Sequence, residues 1–132
     1  MSDRLVYLDT SAFVKLVMPE PERPALVAHL RRWTHAVSAT LLRTEALRAA
    51  VRSSPATVLD TRRALRDMIF IDLTRDLLDQ AGGLMPPQLR SLDAVHLAAA
   101  LSLGDDLDEL VTYDVRMAAA AAACGLATSS PT

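Results

Sequence analysis

Leu5-Val6-Tyr7-Leu8-Asp9-Thr10-Ser11 is the stretch that decides the fold. Four apolar residues in a row show no alternation between an inner and an outer face, the pattern of a strand covered on both sides in a parallel sheet. The run ends at an acid followed by two hydroxyl residues, which suits a strand-to-helix junction where free helix amides need acceptors. Ile69-Phe70-Ile71 and Leu110-Val111-Thr112-Tyr113 read the same way; Ala36-Val37-Ser38 and Leu126-Ala127-Thr128 are weaker strand candidates. Between them apolar residues fall at helical spacing: Leu26, Leu30 and Trp33 after Pro24; Leu42, Ala46 and Ala49; Leu77, Leu78 and Ala81 after Thr74; Leu92, Val95, Ala99 and Leu103 after Ser91. Gly82-Gly83 and Gly104 mark stops. Strands alternating with helices predict a mostly parallel sheet of about five strands with right-handed crossovers and helices on both faces, a three-layer α/β/α domain.

The chain has 132 residues, 51% apolar and 23% charged, a size and balance expected of one globular domain spanning positions 1–132. That excludes a disordered tail and a disulfide-stapled miniprotein. Cys124 is the single cysteine, so no internal bridge forms and a reducing cytoplasm suits the fold. The apolar run from Leu5 to Leu8 and the alanines from Ala118 to Ala123 are too short for an export signal or a membrane span. A net charge of −2 argues against coating nucleic acid through bulk positive charge. Six arginines nevertheless lie between Arg43 and Arg66, with Glu45 and Asp60 the only acids among them. That segment either faces phosphates or is an ordinary solvated helix surface in an arginine-biased chain.

Ligands of open α/β sheets bind outside the carboxyl ends of the strands, so the acids there carry the functional argument. Asp9 follows the first strand and Asp114 follows Val111-Thr112-Tyr113. Taken singly, each is explained as a helix N-cap. Glu45 and Asp93 shift the balance, because they interrupt the apolar or alanine-rich segments Leu41-Leu42-Arg43-Thr44-Glu45-Ala46-Leu47 and Leu92-Asp93-Ala94-Val95-His96-Leu97. Each has a bland account: Asp93 favours a helix dipole in the first turn after Ser91, and Glu45 can pair with Arg48 or Arg52 on the surface. If the four converge, their mutual repulsion is most simply offset by a divalent cation. Oxygen donors without cysteine or clustered histidine favour a hard ion, Mg²⁺ or Mn²⁺, which activates water and stabilises charge on a phosphoryl group.

The motifs Leu8-Asp9-Thr10-Ser11-Ala12, Thr44-Glu45-Ala46-Leu47, Leu92-Asp93-Ala94-Val95-His96-Leu97-Ala98 and Val111-Thr112-Tyr113-Asp114, in this order, resemble those of PIN-domain ribonucleases, especially the VapC-type toxins of toxin-antitoxin modules. The resemblance spans the whole chain. It implies a Mg²⁺- or Mn²⁺-dependent endoribonuclease that cuts single-stranded or loop RNA, such as tRNA or rRNA. Asp9, Glu45, Asp93 and Asp114 match the family's acidic quartet, with Asp9 and Asp93 as principal metal ligands, Glu45 completing the cluster or orienting water, and Asp114 binding a second or outer ion. Thr10, Ser11 and Thr112 match small hydroxyl residues that orient the carboxylates. Arg116 departs from the pattern, standing where many members carry Asp or Asn, and is expected to weaken a second metal position. The resemblance also implies a cognate antitoxin reaching the acidic pocket with a basic side chain, and a homodimer, with Phe13, Leu16, Val17 and Leu26 as an apolar patch for such contacts.

Two other classes compete with this account. A catalytically idle PIN-like protein- or RNA-binding module would use the acids only to receive an arginine from a partner protein. An aspartate-phosphorylated receiver domain expects a lysine late in the sheet, whereas Lys15 is the only lysine. Among the remaining residues, His96 reads as a satisfied core histidine rather than a proton shuttle. His29 and His35 lack metal-ligand spacing, and Asp105-Asp106-Leu107-Asp108-Glu109 reads as a solvated run rather than a calcium loop. Trp33 reads as helix packing and Cys124 as a small buried hydrophobe.

Overall fold

The structure, a computed structural model, describes residues 2–132, so Met1, and with it the very start of the expected 1–132 unit, lies outside the described residues. Strands and helices alternate as β1 (Ser2–Leu8), α1 (Thr10–Val17), α2 (Arg23–Leu30), β2 (Trp33–Ala39), α3 (Leu41–Val51), α4 (Pro55–Arg66), β3 (Ile69–Ile71), α5 (Arg75–Gly82), α6 (Ser91–Leu101), β4 (Leu107–Val111), α7 (Val115–Ala123) and β5 (Thr128–Ser129). The strands form one sheet in the order β3-β2-β1-β4-β5, and every pairing is parallel. β1 is therefore the central strand, with Val6 opposite Ala36 of β2 on one side and Glu109 of β4 on the other.

The unbroken apolar run of β1 is explained by cover on both faces. Tyr7 joins Val37 and Leu110 in a cluster with Leu97 of α6 and Met117 of α7, while Val6 and Leu8 point to the opposite face with Leu26 of α2 and Ala12 of α1. Phe13 of α1 packs with Leu42, Ala46 and Leu65 of α3 and α4. Helices thus lie on both faces, as the alternation predicts. The alanines of α6 at positions 94, 98, 99 and 100 are buried, and their small side chains let the helix backbone approach the sheet closely.

Several local expectations change. Trp33 opens β2 instead of extending α2, which stops at Leu30. It still packs in one cluster with Leu26 and Leu30, so contacts between two elements imitated the spacing of one helix. β4 begins at Leu107 and ends at Val111, which places Thr112 and Tyr113 in the loop beyond the strand. Asp108 and Glu109 consequently belong to a strand and have partners: Asp108 accepts from Trp33 Nε1 at 2.9 Å and pairs with Arg4 at 2.8 Å, and Glu109 pairs with His29 at 2.9 Å. Cys124 is exposed at the end of α7, where the helix runs out of sheet to cover. Phe13 and Leu26 are fully buried, so they belong to the core and cannot form a docking patch.

Candidate active site

Asp9 sits where β1 gives way to α1, and both of its oxygens are engaged. Oδ1 accepts from the Ala12 amide at 3.0 Å, which makes Asp9 the N-cap of α1, and from Ser11 Oγ at 2.6 Å, while Oδ2 accepts from Thr112 Oγ1. The two hydroxyls have a second duty. Ser11 Oγ accepts from the Tyr113 amide at 2.9 Å and Thr112 Oγ1 from the Asp114 amide at 3.1 Å. Each hydroxyl therefore ties Asp9 to the loop that carries Asp114. Asp9 is 4% exposed, and burial pushes its carboxyl above the ordinary value even though Ser11, Thr112 and the Ala12 amide stabilise the charge. None of the ion pairs formed among the described residues involves it.

Asp114 caps α7 through Oδ1, which accepts from the amides of Arg116 at 2.9 Å and Met117 at 3.2 Å. Its other oxygen faces Arg90, whose Nη2 lies 3.1 Å away. The same guanidinium places Nε 3.2 Å from Oδ2 of Asp93, in the first turn of α6. One arginine thus spans two of the acids singled out from the sequence. The Arg116 side chain, in the departing position, is on the exposed first turn of α7.

Glu45 projects from α3 and is half-buried. Its Oε1 accepts from Thr10 Oγ1 at 2.6 Å and lies 2.8 Å from His96 Nε2. Burial pushes the Glu45 carboxyl up, but the hydrogen bonds from His96 and Thr10 and the attraction of His96 outweigh it, leaving the group below its ordinary value. An ionised carboxylate only accepts, so His96 carries its proton on Nε2. In the neutral ring Nδ1 then accepts from Tyr7 OH at 2.7 Å, and that oxygen accepts from the Ala39 amide at 3.1 Å. His96 is a satisfied core histidine, as expected, and also a direct partner of Glu45, which was not. Its place one turn after Asp93 on α6 was the available signal.

The sheet edge therefore gathers two linked groups. Asp9, Ser11, Thr112 and Asp114 form one hydrogen-bonded unit, to which Arg90 joins Asp93. Glu45 is tied instead to Thr10 and His96. Among the described residues no three acids or histidines are closed around one point as a ready metal cluster. The donor set nonetheless fits a hard divalent ion: the offered atoms are carboxylate oxygens, Asp9 holds a desolvated charge without an ion-pair partner among the described residues, and Asp93 and Asp114 already share one cation. Thr112→Val should expose the value of the linkage. It removes a buried donor to Asp9 and an acceptor for the Asp114 amide, so urea unfolding should show a loss of roughly 2 kcal/mol, and any activity that depends on Asp9 should fall about 10–100-fold.

The family model described as PIN domain matches residues 6–123. Ribonuclease VapC46 of Mycobacterium tuberculosis is 45% identical over 126 residues, covering 96% of this chain and 97% of that protein. In three dimensions the chain resembles the crystal structure of Mycobacterium tuberculosis VapC20, described as a sarcin-ricin loop cleaving toxin, with TM-score 0.74 at 16% identity over 96% of this chain and 99% of that one. It also resembles a chain of VapBC2 from Rickettsia felis bound to a DNA fragment from its promoter, with TM-score 0.70 at 13% identity over 97% of this chain and 99% of that one.

Proposed function

The chain belongs to the PIN-domain family, among its VapC-type ribonucleases, and from that premise we propose that it is an RNA-cleaving toxin whose divalent ion is held by Asp9, Asp93, Asp114 and Glu45. The observation that carries the proposal is the junction of three acids from three distant segments at one sheet edge, Asp9 with Asp114 through Thr112, and Asp114 with Asp93 through Arg90. Isolated helix caps would have no reason to share partners.

Asp9 and Asp93 are assigned the principal ligand positions and Asp114 an additional or outer one. Bound there, Mg²⁺ or Mn²⁺ would supply an activated water and offset charge building on the phosphoryl oxygens. Ser11 and Thr112 hold Asp9 in a fixed orientation, since each is itself anchored by a loop amide. Glu45 stays ionised and is aimed by Thr10 and His96, which suits it to accept a hydrogen bond from the attacking water and hold it in line. The arginines at 43, 48, 62, 63 and 66 are exposed on α3 and α4, and Arg52 is exposed just past the end of α3. Because α3 also carries Glu45, these helices are assigned to the phosphates of single-stranded or loop RNA flanking the cut.

Neutralisation by a small antitoxin, homodimer formation and action in the cytoplasm complete the proposal. No helix among the described residues is long and apolar enough to cross a membrane. Exposed apolar residues available for protein contacts include Leu78, Met85, Leu92 and Val115, whereas Phe13 and Leu26 are buried. Light scattering of the purified protein should report a dimer. The decisive experiment is cleavage of a mixed RNA pool with Mn²⁺ and with EDTA. Cleavage should require the ion, and Mn²⁺ at 100 times its Kd should stabilise the fold by about 2.7 kcal/mol without RNA. A folded protein that neither binds Mn²⁺ nor cuts RNA would be the idle binding module instead.

A further inference from the structure

No catalytic or binding role is assigned to Arg90 above, yet its side chain, 70% exposed, reaches Asp93 and Asp114 together. It precedes α6 with extended backbone and makes no side-chain cap hydrogen bond there, so helix capping does not account for its position. Ion pairs this open to water are screened and exchange readily. A divalent ion such as Mg²⁺ taking the same carboxylates would approach their oxygens to about 2.0–2.1 Å and would carry twice the charge of the guanidinium. The guanidinium cannot keep its contacts with those Oδ2 atoms beside such an ion, because like charges would be forced together in one small site. Once released, it stands at the edge of the acidic site with a planar fork of donors, the geometry that matches a phosphate.

Building on the assignment of Asp93 and Asp114 as ion ligands, we propose that Arg90 is an exchangeable cation of this site, bridging the two carboxylates before the divalent ion binds and gripping an RNA phosphate beside the cleaved bond afterwards. The proposal gives one residue two effects of opposite sign. Against the ion it is a competitor. Toward RNA it is a ligand, and therefore a substrate-binding residue.

The test uses the full chain, with Arg90→Gln, Arg90→Lys and Asp93→Asn beside the parent. Thermal melts titrated with Mn²⁺ alone, without RNA, report ion binding; initial rates on a short single-stranded RNA at several salt concentrations report KM and kcat. Arg90→Gln should shift the Mn²⁺ midpoint several-fold lower, raise KM about tenfold through loss of a charge-assisted phosphate contact, and reduce the salt slope of KM by about 0.7. Arg90→Lys should keep the salt slope while recovering only part of the KM. Asp93→Asn should lose the Mn²⁺ response, and if it responds like the parent, the ion-site assignment itself fails whatever Arg90 does. If Asp93→Asn loses the response while Arg90→Gln binds Mn²⁺ more weakly, or leaves either the midpoint or KM unchanged, the role given to Arg90 is overturned and the ion site stands.

Discussion

Asp9→Asn should lower RNA cleavage by on the order of 10²–10³, since ion-assisted charge stabilisation is worth several kcal/mol and each 1.36 kcal/mol is tenfold in rate. The Mn²⁺-dependent rise in melting temperature should largely disappear with it. Stability in EDTA should behave oppositely. Asparagine caps helices about as well as aspartate, so the bond to the Ala12 amide survives, and the substitution removes a carboxylate whose charge burial disfavours. The variant should therefore melt close to the parent or above it at neutral pH. The sign with pH follows from the raised carboxyl of Asp9. The folded parent takes up this proton more readily than the unfolded chain, so its disadvantage relative to Asp9→Asn is full above the folded value and shrinks as pH falls through it. It is gone below the unfolded value of 3.8. Melts from pH 7 to 4 in EDTA, beside a cleavage assay, check both halves. A variant that cuts RNA at the parental rate would remove Asp9 from the site.

Leu110→Ala should have the largest effect on stability. Leu110 is fully buried on β4, beside Tyr7 of the central strand and in one cluster with Leu97 and Met117. Truncating such a leucine leaves a cavity and costs about 2–5 kcal/mol, a large share of the roughly 5–15 kcal/mol expected for a domain. The melting temperature should fall by roughly 10–20 °C. Leu92→Ala provides the contrast, because Leu92 is 50% exposed and its loss should change stability by under about 0.5 kcal/mol. Equal losses from the two variants in urea unfolding would contradict the layering of the core.

The layers were legible in the sequence because burial on both faces writes an unbroken apolar run, as at Leu5 to Leu8, and each junction acid marks a strand end. Asp9 and Asp114 are both helix caps, and they are also linked to each other through Thr112, which capping alone does not require. What stayed hidden depends on long-range contact. His96 meets Glu45 across 51 positions and Arg90 meets Asp114 across 24, and spacing within one helix names neither partner, although the place of His96 one turn after Asp93 aims it toward the same edge. Trp33 was misplaced for the same reason, its neighbours in space lying at helical distance in sequence. The charged run 105–109 misled because polar residues near a sheet rim find partners, as Asp108 does in Arg4 and Trp33.

The strand order has a consequence for how the enzyme comes into being. β1 is made before the other four strands but lies at the centre of the sheet, and its neighbour β4 is made fourth. Asp9 likewise waits for Thr112, which is 103 positions later. At ribosomal rates of about 5–20 residues per second, roughly 5–20 s separate the synthesis of these two residues. Throughout that interval Asp9 has no Thr112 to orient it and no Asp114 beside it. On the proposed assignment of Asp9 and Asp114 to the site, a nascent chain that has not yet reached Thr112 lacks the hydrogen-bonded unit that orients Asp9, so the site is assembled late in the synthesis of this domain.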